Sequence, residues 1–482
     1  MAKQIIQERM LIGGRWMEGK DSISVYDPGT AELIATVPAA TTQDVKLAIS
    51  QAKHGAKLSK NLPVHERMRI LHEAAAYIEE QSDLFTRTIV LESSKTIREA
   101  RKEVKRCIET LRLSAEEARR IQGETLPFSQ MPGHESRVGY VYRFPIGIVA
   151  AITPFNDPLN LVAHKVGPAI ACGNAVIVKP ASQTPLSTLR LAEAFEHAGL
   201  PAGILSVITG RGADICDPLV EHEDVRFVSF TGGYETGKSI SHKAGAKKIA
   251  MELGSNSPTI VLKDADIEEA ILSTVSGAFG VAGQNCIGVQ RIYVESSVYE
   301  HFLNRFIFET KKLKVGPKTD ESTDVGPMIS EKEAKRVEQW IEEARELGAT
   351  ICYGGRRTRA FLEPTVLTEV PQTATIATQE VFGPVVTIET VDSLDEAIEL
   401  SNNTVYGLHA GIFTANVDQA FHAVHHLDFG GVMVNDSSDV RIDGMPFGGV
   451  KRSGVGREGV KYAIDSMTEQ KVVAFRLKQS LF

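Results

Sequence analysis

Between residues 146 and 230 the chain repeats one unit, a short and mostly apolar run followed by a helical stretch. Residues 146–152, 175–178, 205–208 and 226–230 read as strands, and residues 159–171 and 186–197 read as helices. Strands apolar on both faces are buried on both faces, and helices of roughly a dozen residues between them are crossover connections. The segment is therefore expected to form a doubly wound α/β sheet with helices on either side, and ligands of such sheets collect at the carboxyl ends of the strands.

A second alternating block spans residues 266–435, with expected strands at 291–295, 385–391, 410–413 and 432–434 and helices such as 331–347. Before both blocks, residues 10–40 read as small strands and turns, and residues 42–122 turn helical. Thr42 can cap the first helix and Pro63 stands near the start of the next. Residues 96–122 read as one long helix burying Ile97, Val104, Ile108 and Leu111. Residues 127–142 are turn-rich, then alternate through Val138, Tyr140 and Val141 like an exposed hairpin strand. The strand-like tail at 471–475 is expected to pair with that strand or with another subunit.

A chain of 482 residues is long enough for two to four domains. Its formal charge of -8, from 53 basic and 61 acidic residues, argues against a nucleic-acid partner. No apolar run approaches the roughly 18 residues that span a membrane. The first ten residues mix charge into their apolar positions, unlike a secretory signal, so cytoplasmic residence is expected. The five cysteines (Cys107, Cys172, Cys216, Cys286 and Cys352) contain no C-x-x-C pair, so neither a metal site nor a disulfide framework is expected.

Five short motifs can carry chemistry. In Gly283-Gln284-Asn285-Cys286 a cysteine follows a flexible polar turn, and a thiolate at a loop–helix junction is stabilised by backbone N–H groups; the same residue also suits a small buried hydrophobe. Glu252 closes an apolar stretch just before a loop, where partial desolvation makes a carboxylate a usable general base, although a surface glutamate at a strand end reads the same way. Asn156, in Thr153-Pro154-Phe155-Asn156 after the first strand, can donate to a developing oxyanion or simply occupy a turn. Lys179 ends another strand, where it can meet ribose hydroxyls or phosphate. The run from Phe230 through Thr231, Gly232 and Gly233 to Gly237 is a strand, a glycine turn and a helix, suited to pyrophosphate, yet it is neither G-x-G-x-x-G nor a P-loop.

Each motif alone is weak. Taken in order with Glu380-Val381-Phe382-Gly383-Pro384 and Pro446–Gly449, they resemble the aldehyde dehydrogenase superfamily along essentially the whole chain. The resemblance implies a Rossmann-like cofactor domain (1–122 and 146–253), a catalytic α/β domain (254–455) and a small β oligomerisation arm (123–145 and 456–482), assembled as a homodimer or homotetramer. It makes Cys286 the nucleophile, Asn156 and the Cys286 backbone N–H the oxyanion donors, and Glu252 the base that activates water on a thioester. It assigns NAD or NADP to Thr153, Pro154, Phe155, Asn156, Lys179, Ser182, Gly212, Phe230, Thr231, Gly232, Gly233, Gly237, Leu253, Gly254, Glu380 and Phe382. No metal is required.

Three departures refine this. Ser182 stands where many NAD-preferring relatives carry a glutamate; serine removes its repulsion and can donate to a 2′-phosphate, favouring NADP without excluding NAD. Gly233 replaces a usual serine and Ser255 a usual glycine. Asp157 follows Asn156 where apolar residues are usual, and it would disfavour anions unless a cation from Lys102, Arg106, Arg291 or Arg441 pairs with it; these side chains are either a solvated face or a cationic pocket. The text around Asn435–Ser438 and Met445–Lys451 resembles the branch of lactaldehyde, semialdehyde and phosphonoacetaldehyde dehydrogenases, so the expected substrate is a short polar aldehyde, hydroxylated or anionic. Two rivals are an acyl-CoA-forming semialdehyde dehydrogenase, which typically lacks the glutamate found at 252, and a non-catalytic protein on the same fold.

Overall fold

The computed structural model describes residues 5–478. Five parallel strands, Ile148–Ile152, Ala175–Lys179, Leu205–Val207, Val225–Thr231 and Lys248–Glu252, form the centre of an eight-stranded sheet. The first of them lies between the second and the fourth, so the order reverses between Ile148–Ile152 and Val225–Thr231. Alternate residues feed separate cores: Val149, Ala151, Val176 and Val178 pack on one face, and Ile148, Ala150, Ala175 and Ile177 on the other. Burial on both faces is what the unbroken apolar runs demanded.

A second sheet of seven strands, all parallel but the edge strand Thr350–Tyr353, carries Pro258–Val261 and Arg291–Glu295 at its centre. The sequence reading assigns no strand to Pro258–Val261, because a proline opens it directly after the turn-forming run Ser255-Asn256-Ser257. A third sheet joins Thr468–Arg476, Arg137–Pro145 and Glu124–Leu126. Its register pairs Lys471 with Tyr142 and Phe475 with Val138, as expected of the tail. Residues 479–482, also expected in this arm, lie outside the described residues.

Three boundaries differ from the sequence reading. The first helix runs Thr42–Asn61 but is capped by Thr41, whose side chain accepts from Asp44 N–H while the Asp44 carboxylate accepts from Thr41 N–H. The long helix spans Ile97–Ala118, stopping before 122 because the chain must turn at Gly123, whose Cα sits against the Val141 carbonyl, to enter Glu124–Leu126. The segment expected wholly in the arm from 456 divides. Gly454–Val455 pairs with Lys248–Glu252, and Val460, Ile464 and Met467 pack into the first sheet's core, so that only Thr468–Arg476 extends outward.

Asn174 fastens this return. Its side-chain oxygen accepts from Gly147 N–H at 2.8 Å and its amide donates to Met467 C=O at 2.9 Å, with Asn174 and Met467 buried. Replacing Asn174 by alanine orphans both backbone groups. It should lower stability by about 2 kcal/mol, read as a reduced denaturant midpoint with unchanged m-value.

Candidate active site

Strand register brings the motifs together. Ile152 pairs with Lys179 and with Phe230, Phe230 with Met251, and Thr231 with Glu252. The ends of four strands therefore form one edge, from which Thr153–Asn156, Lys179, Gly232–Gly233 and Leu253–Gly254 depart. The edge is polar and unsatisfied: Thr153 Oγ1, Thr231 Oγ1 and both Glu252 carboxylate oxygens are buried without a hydrogen-bond partner. Orphaned buried groups in such number mark a place where ligands complete the bonding.

Lys179 is 6% exposed and its ammonium makes no hydrogen bond or ion pair among the described residues; burial pushes its pKa down. Gly212, the first residue of the helix Gly212–Glu221, lies beside it, so that a Cβ there would stand 3.9 Å from Lys179 Nζ and 3.6 Å from Cys216 Sγ. Ser182 departs from expectation. Its hydroxyl donates to Gly210 C=O at 2.8 Å, so its proton is spent on the turn rather than free for a phosphate. The helix Tyr234–Ala244 starts at Gly233 with no side-chain cap, and open space surrounds Gly233. Its first N–H groups are left to an anion.

The second sheet supplies the opposite wall. Phe382 meets Phe155 edge-on at 5.7 Å. Glu380 accepts from Ser255 N–H at 3.0 Å and lies directly on Gly254, where any side chain would collide with its carboxylate. Burial raises Glu380 to about 7.

Cys286 lies in a turn ahead of the strand Arg291–Glu295, with no helix following it, so the expected loop–helix stabilisation of a thiolate does not apply. The preceding Val281, Ala282 and Gly283 are all left-handed, with φ of 52°, 53° and 68°. This costly turn is held by Glu99, which accepts from Val281 N–H at 2.7 Å, and by Gln284, which donates to Val281 C=O and accepts from Ile329 N–H. Gly283 packs on the Gly383 carbonyl, leaving no room for a Cβ. The half-buried thiol is raised to about 12 by burial; the Arg441 cation opposes this and the carboxylates of Glu380, Glu252 and Glu458 add to it. Neither the Asn156 amide nor the Cys286 N–H is engaged among the described residues.

Glu252 is raised well above the usual carboxylate range, by burial and then by the charge of Glu458, against Lys165, Arg441 and Arg457. For Glu458 burial is overcome by Lys165 and Arg441, and its pKa falls to about 2. The two carboxylates are thus driven apart, Glu252 upward and Glu458 downward. Sequence reasoning missed Glu458 and Lys165. Lys165 Nζ donates to Glu458 Oε1 at 2.7 Å and to Ser229 Oγ at 2.9 Å. The signal was a lysine inside an otherwise apolar helix, since a lysine is rarely fully buried without a partner.

The proposed substrate cations separate. Arg441 stacks 3.8 Å from the centre of the Phe447 ring, donates to Glu458 Oε2 at 3.0 Å and keeps its Nε unpartnered. Arg106 is neutralised by Asp157 and Asp443, at 3.1 and 2.7 Å, and Asp157 also pairs with Lys95, a partner the sequence did not suggest. Arg291 is removed from the expected pocket role. Its guanidinium donates to Asn256 C=O, Leu400 C=O, Ser401 C=O and Tyr293 Oη, which makes it a clamp between strands and loops. Lys102 is exposed beside a surface groove of about 550 Å³.

Residues 16–473 match the model of the aldehyde dehydrogenase family. The 3-sulfolactaldehyde dehydrogenase of Priestia aryabhattai is 46% identical over 98% of this chain and 99% of its own length. The aspartate-semialdehyde dehydrogenase 1 of Pseudomonas canavaninivorans is 47% identical over 94% of this chain and 97% of its own. Among solved structures, the glyceraldehyde-3-phosphate dehydrogenase of Methanocaldococcus jannaschii complexed with NADP superposes with a TM-score of 0.92 at 40% identity, covering 95% of this chain and 99% of that one. A thiol, a buried carboxylate and an anion-ready strand edge thus lie within a whole-length match, and the chain belongs to the aldehyde dehydrogenase family, oxidoreductases that act on aldehydes with NAD or NADP.

Proposed function

We propose that the chain oxidises a short polar aldehyde to its carboxylate through a covalent adduct on Cys286. The observation that carries this reading is that Cys286 packs against Phe447, whose ring Arg441 covers at 3.8 Å, while the Glu252 carboxylate lies against the adjoining Gly448. The Cys286 thiol gives up its proton to solvent and its sulfur adds to the aldehyde carbon, forming a C–S bond as the carbonyl π bond opens, and the Asn156 amide with the Cys286 N–H receives the oxyanion. The oxidised dinucleotide supplies the hydride acceptor when bound. Glu252 then takes a proton from water, which attacks the thioester carbon and releases the carboxylate and the thiol. The upward shift of Glu252, caused by burial and the charge of Glu458, makes it a stronger base than an ordinary carboxylate.

The residues that fit the dinucleotide are Lys179 and Gly212 at the ribose, Gly232, Gly233 and Gly237 at the pyrophosphate, and Glu380 with Phe382 at the nicotinamide end. A buried ammonium without a counter-ion favours NADP, and here the preference rests on Lys179 and the missing glutamate rather than on the Ser182 proton. The names of the relatives favour substrates with polar or anionic tails. Retention of Glu252 favours hydrolysis over transfer to coenzyme A. We further propose 1–122 with 146–253 as the cofactor domain and 254–453 as the catalytic domain. The chain would act as a homodimer or homotetramer, through the outer strand Thr468–Arg476 with exposed Val472 and Phe475 and the exposed stripe Val417, Phe421 and Val424 on one helix. Five free thiols fit a reducing cytoplasm.

Four outcomes check this reading. Cys286→Ala should abolish NAD(P)H formation at 340 nm while dinucleotide binding by calorimetry changes little; wild-type turnover would remove Cys286 from the chemistry. Glu252→Gln should slow deacylation by about 10²-fold or more, leaving a thioester visible by intact mass. Because Glu252 must lose its proton to act, wild-type deacylation should rise with pH through a midpoint well above the usual carboxylate range, and this limb should vanish in the variant. Lys179→Met should raise the KM for NADP about tenfold or more, and that for NAD less, with kcat nearly unchanged.

A further inference from the structure

The strand edge that carries Lys179 also carries a thiol with no part in the reaction. Cys216 is half-buried on the helix Gly212–Glu221 and packs partly against one core of the first sheet. Gly212 opens that helix and leaves room beside it. A Cβ on Gly212 would stand 3.6 Å from Cys216 Sγ and 3.9 Å from Lys179 Nζ, and among the described residues it would meet no other atom within 4 Å apart from its chain neighbours and its own helix backbone. Both separations are ordinary contact distances, so a group seated there touches the sulfur and the ammonium together. The ammonium is the available charge. Lys179 is buried without a hydrogen bond or ion pair among the described residues, whereas Lys243 on the neighbouring helix is paired with Asp217 at 2.6 Å. The helix also starts without a side-chain cap, which adds backbone donors at the same end.

We propose that Cys216 is a modification site within the dinucleotide pocket, forming a reversible mixed disulfide with a small carboxylate-bearing disulfide, and that this adduct and the dinucleotide exclude each other. The proposal goes beyond the reading of Lys179 and Gly212 as the ribose end, and rests on it. Cys216 gives its proton to solvent, and its thiolate attacks one sulfur of the small disulfide. That S–S bond breaks, a new S–S bond to Cys216 forms, and the other half leaves as a thiolate. Cys216 is oxidised and the small disulfide is reduced, and a dithiol reverses the exchange. Carboxylates on the reagent meet Lys179, and the attached half then covers the ammonium that would receive the ribose or its phosphate. Burial pushes the Cys216 thiol up, Lys179 and Lys243 oppose this, and Asp217 adds to it. The exchange is therefore slow at a closed pocket and depends on the Lys179 charge. The other thiols outside the reaction are set differently. Cys107 and Cys172 are fully buried, and Cys352 stands on the edge strand Thr350–Tyr353, 3.4 Å from Thr368 Oγ1.

The test treats Cys286→Ala, which lacks the reacting thiol, with oxidised glutathione, and then removes the excess reagent. Peptide mapping by mass should place glutathione on Cys216. NADP binding by calorimetry should weaken about tenfold or more and return after dithiothreitol. Saturating NADP during treatment should slow the labelling of Cys216 about tenfold or more. Relative to their rates with free N-acetylcysteine, the cationic disulfide cystamine should label Cys216 about tenfold more slowly than oxidised glutathione. Cys216→Ser in the same background should bind NADP alike before and after treatment. Label on Cys216 that leaves NADP affinity unchanged, labelling at the same rate with and without NADP, equal relative rates for the two disulfides, or Cys216 labelled only after unfolding in urea overturns the proposal. Should the serine variant fail to fold, labelling and its protection by NADP decide. If Lys179→Met leaves NADP affinity unchanged, the ribose-end reading fails and the exclusion with it; if that variant binds NADP more weakly while labelled Cys216 does not, the exclusion alone fails.

Discussion

The Lys165 ammonium holds the site together. It projects from a helix buried on every side, between Ser229 on a central strand and Glu458 in the returning C-terminal turn. An unpaired ammonium at that depth would cost several kcal/mol, so the C-terminal segment cannot dock without bringing Glu458 to it. Docking also settles a second question. Glu458 is gripped by Lys165 and Arg441 and held down to about 2, and its charge, after burial, pushes Glu252 up. The interaction that closes the fold therefore also bears on Glu252.

Where the two sheets meet, Gly254 admits the Glu380 carboxylate, and Phe155 and Phe382 touch edge to face. Within the second block, Gly283 admits the Gly383 carbonyl. The turn before Cys286 is strained at Val281 and Ala282, and that strain is sustained because Glu99 grips it from a helix of the first layer, where the same carboxylate completes a capping box with Thr96. Cys286 is thus positioned by a residue far from it in sequence and belonging to the opposite half of the molecule.

Strand ends and their motifs were legible because period and burial are local: once 148–152 and 225–231 are read as buried parallel strands, Asn156, Lys179, Gly232 and Glu252 must share an edge. The outer sheet pairing was legible for the same reason. What stayed hidden depends on partners distant in sequence. Glu103, Lys95 and Asp443 look like surface charges until the Ile97–Ala118 helix is laid on Asn160–Ala171, where Glu103 accepts from Leu159 and Asn160 N–H. Arg291 looked like a pocket cation because nothing in its neighbourhood announces the carbonyls of Leu400 and Ser401. The proline before Val261 concealed a central strand, since only its position at the first residue makes it compatible with the ladder.

The same distance argument explains why reaction type was easier to read than substrate. The reaction needs a thiol, a carboxylate and donors on strand ends, and strand ends are set by local pattern. The substrate is chosen by which charges remain unpaired after folding, and pairing is global. Of the four cations expected at the pocket, Arg106 is neutralised, Arg291 is consumed by backbone carbonyls and Lys102 stays outside. Arg441 remains, and its charge already answers to the thiol and to Glu252. Of the cations that look available in the sequence, the fold therefore leaves one positive charge over, on the group that Lys165 and Arg441 form with Glu458.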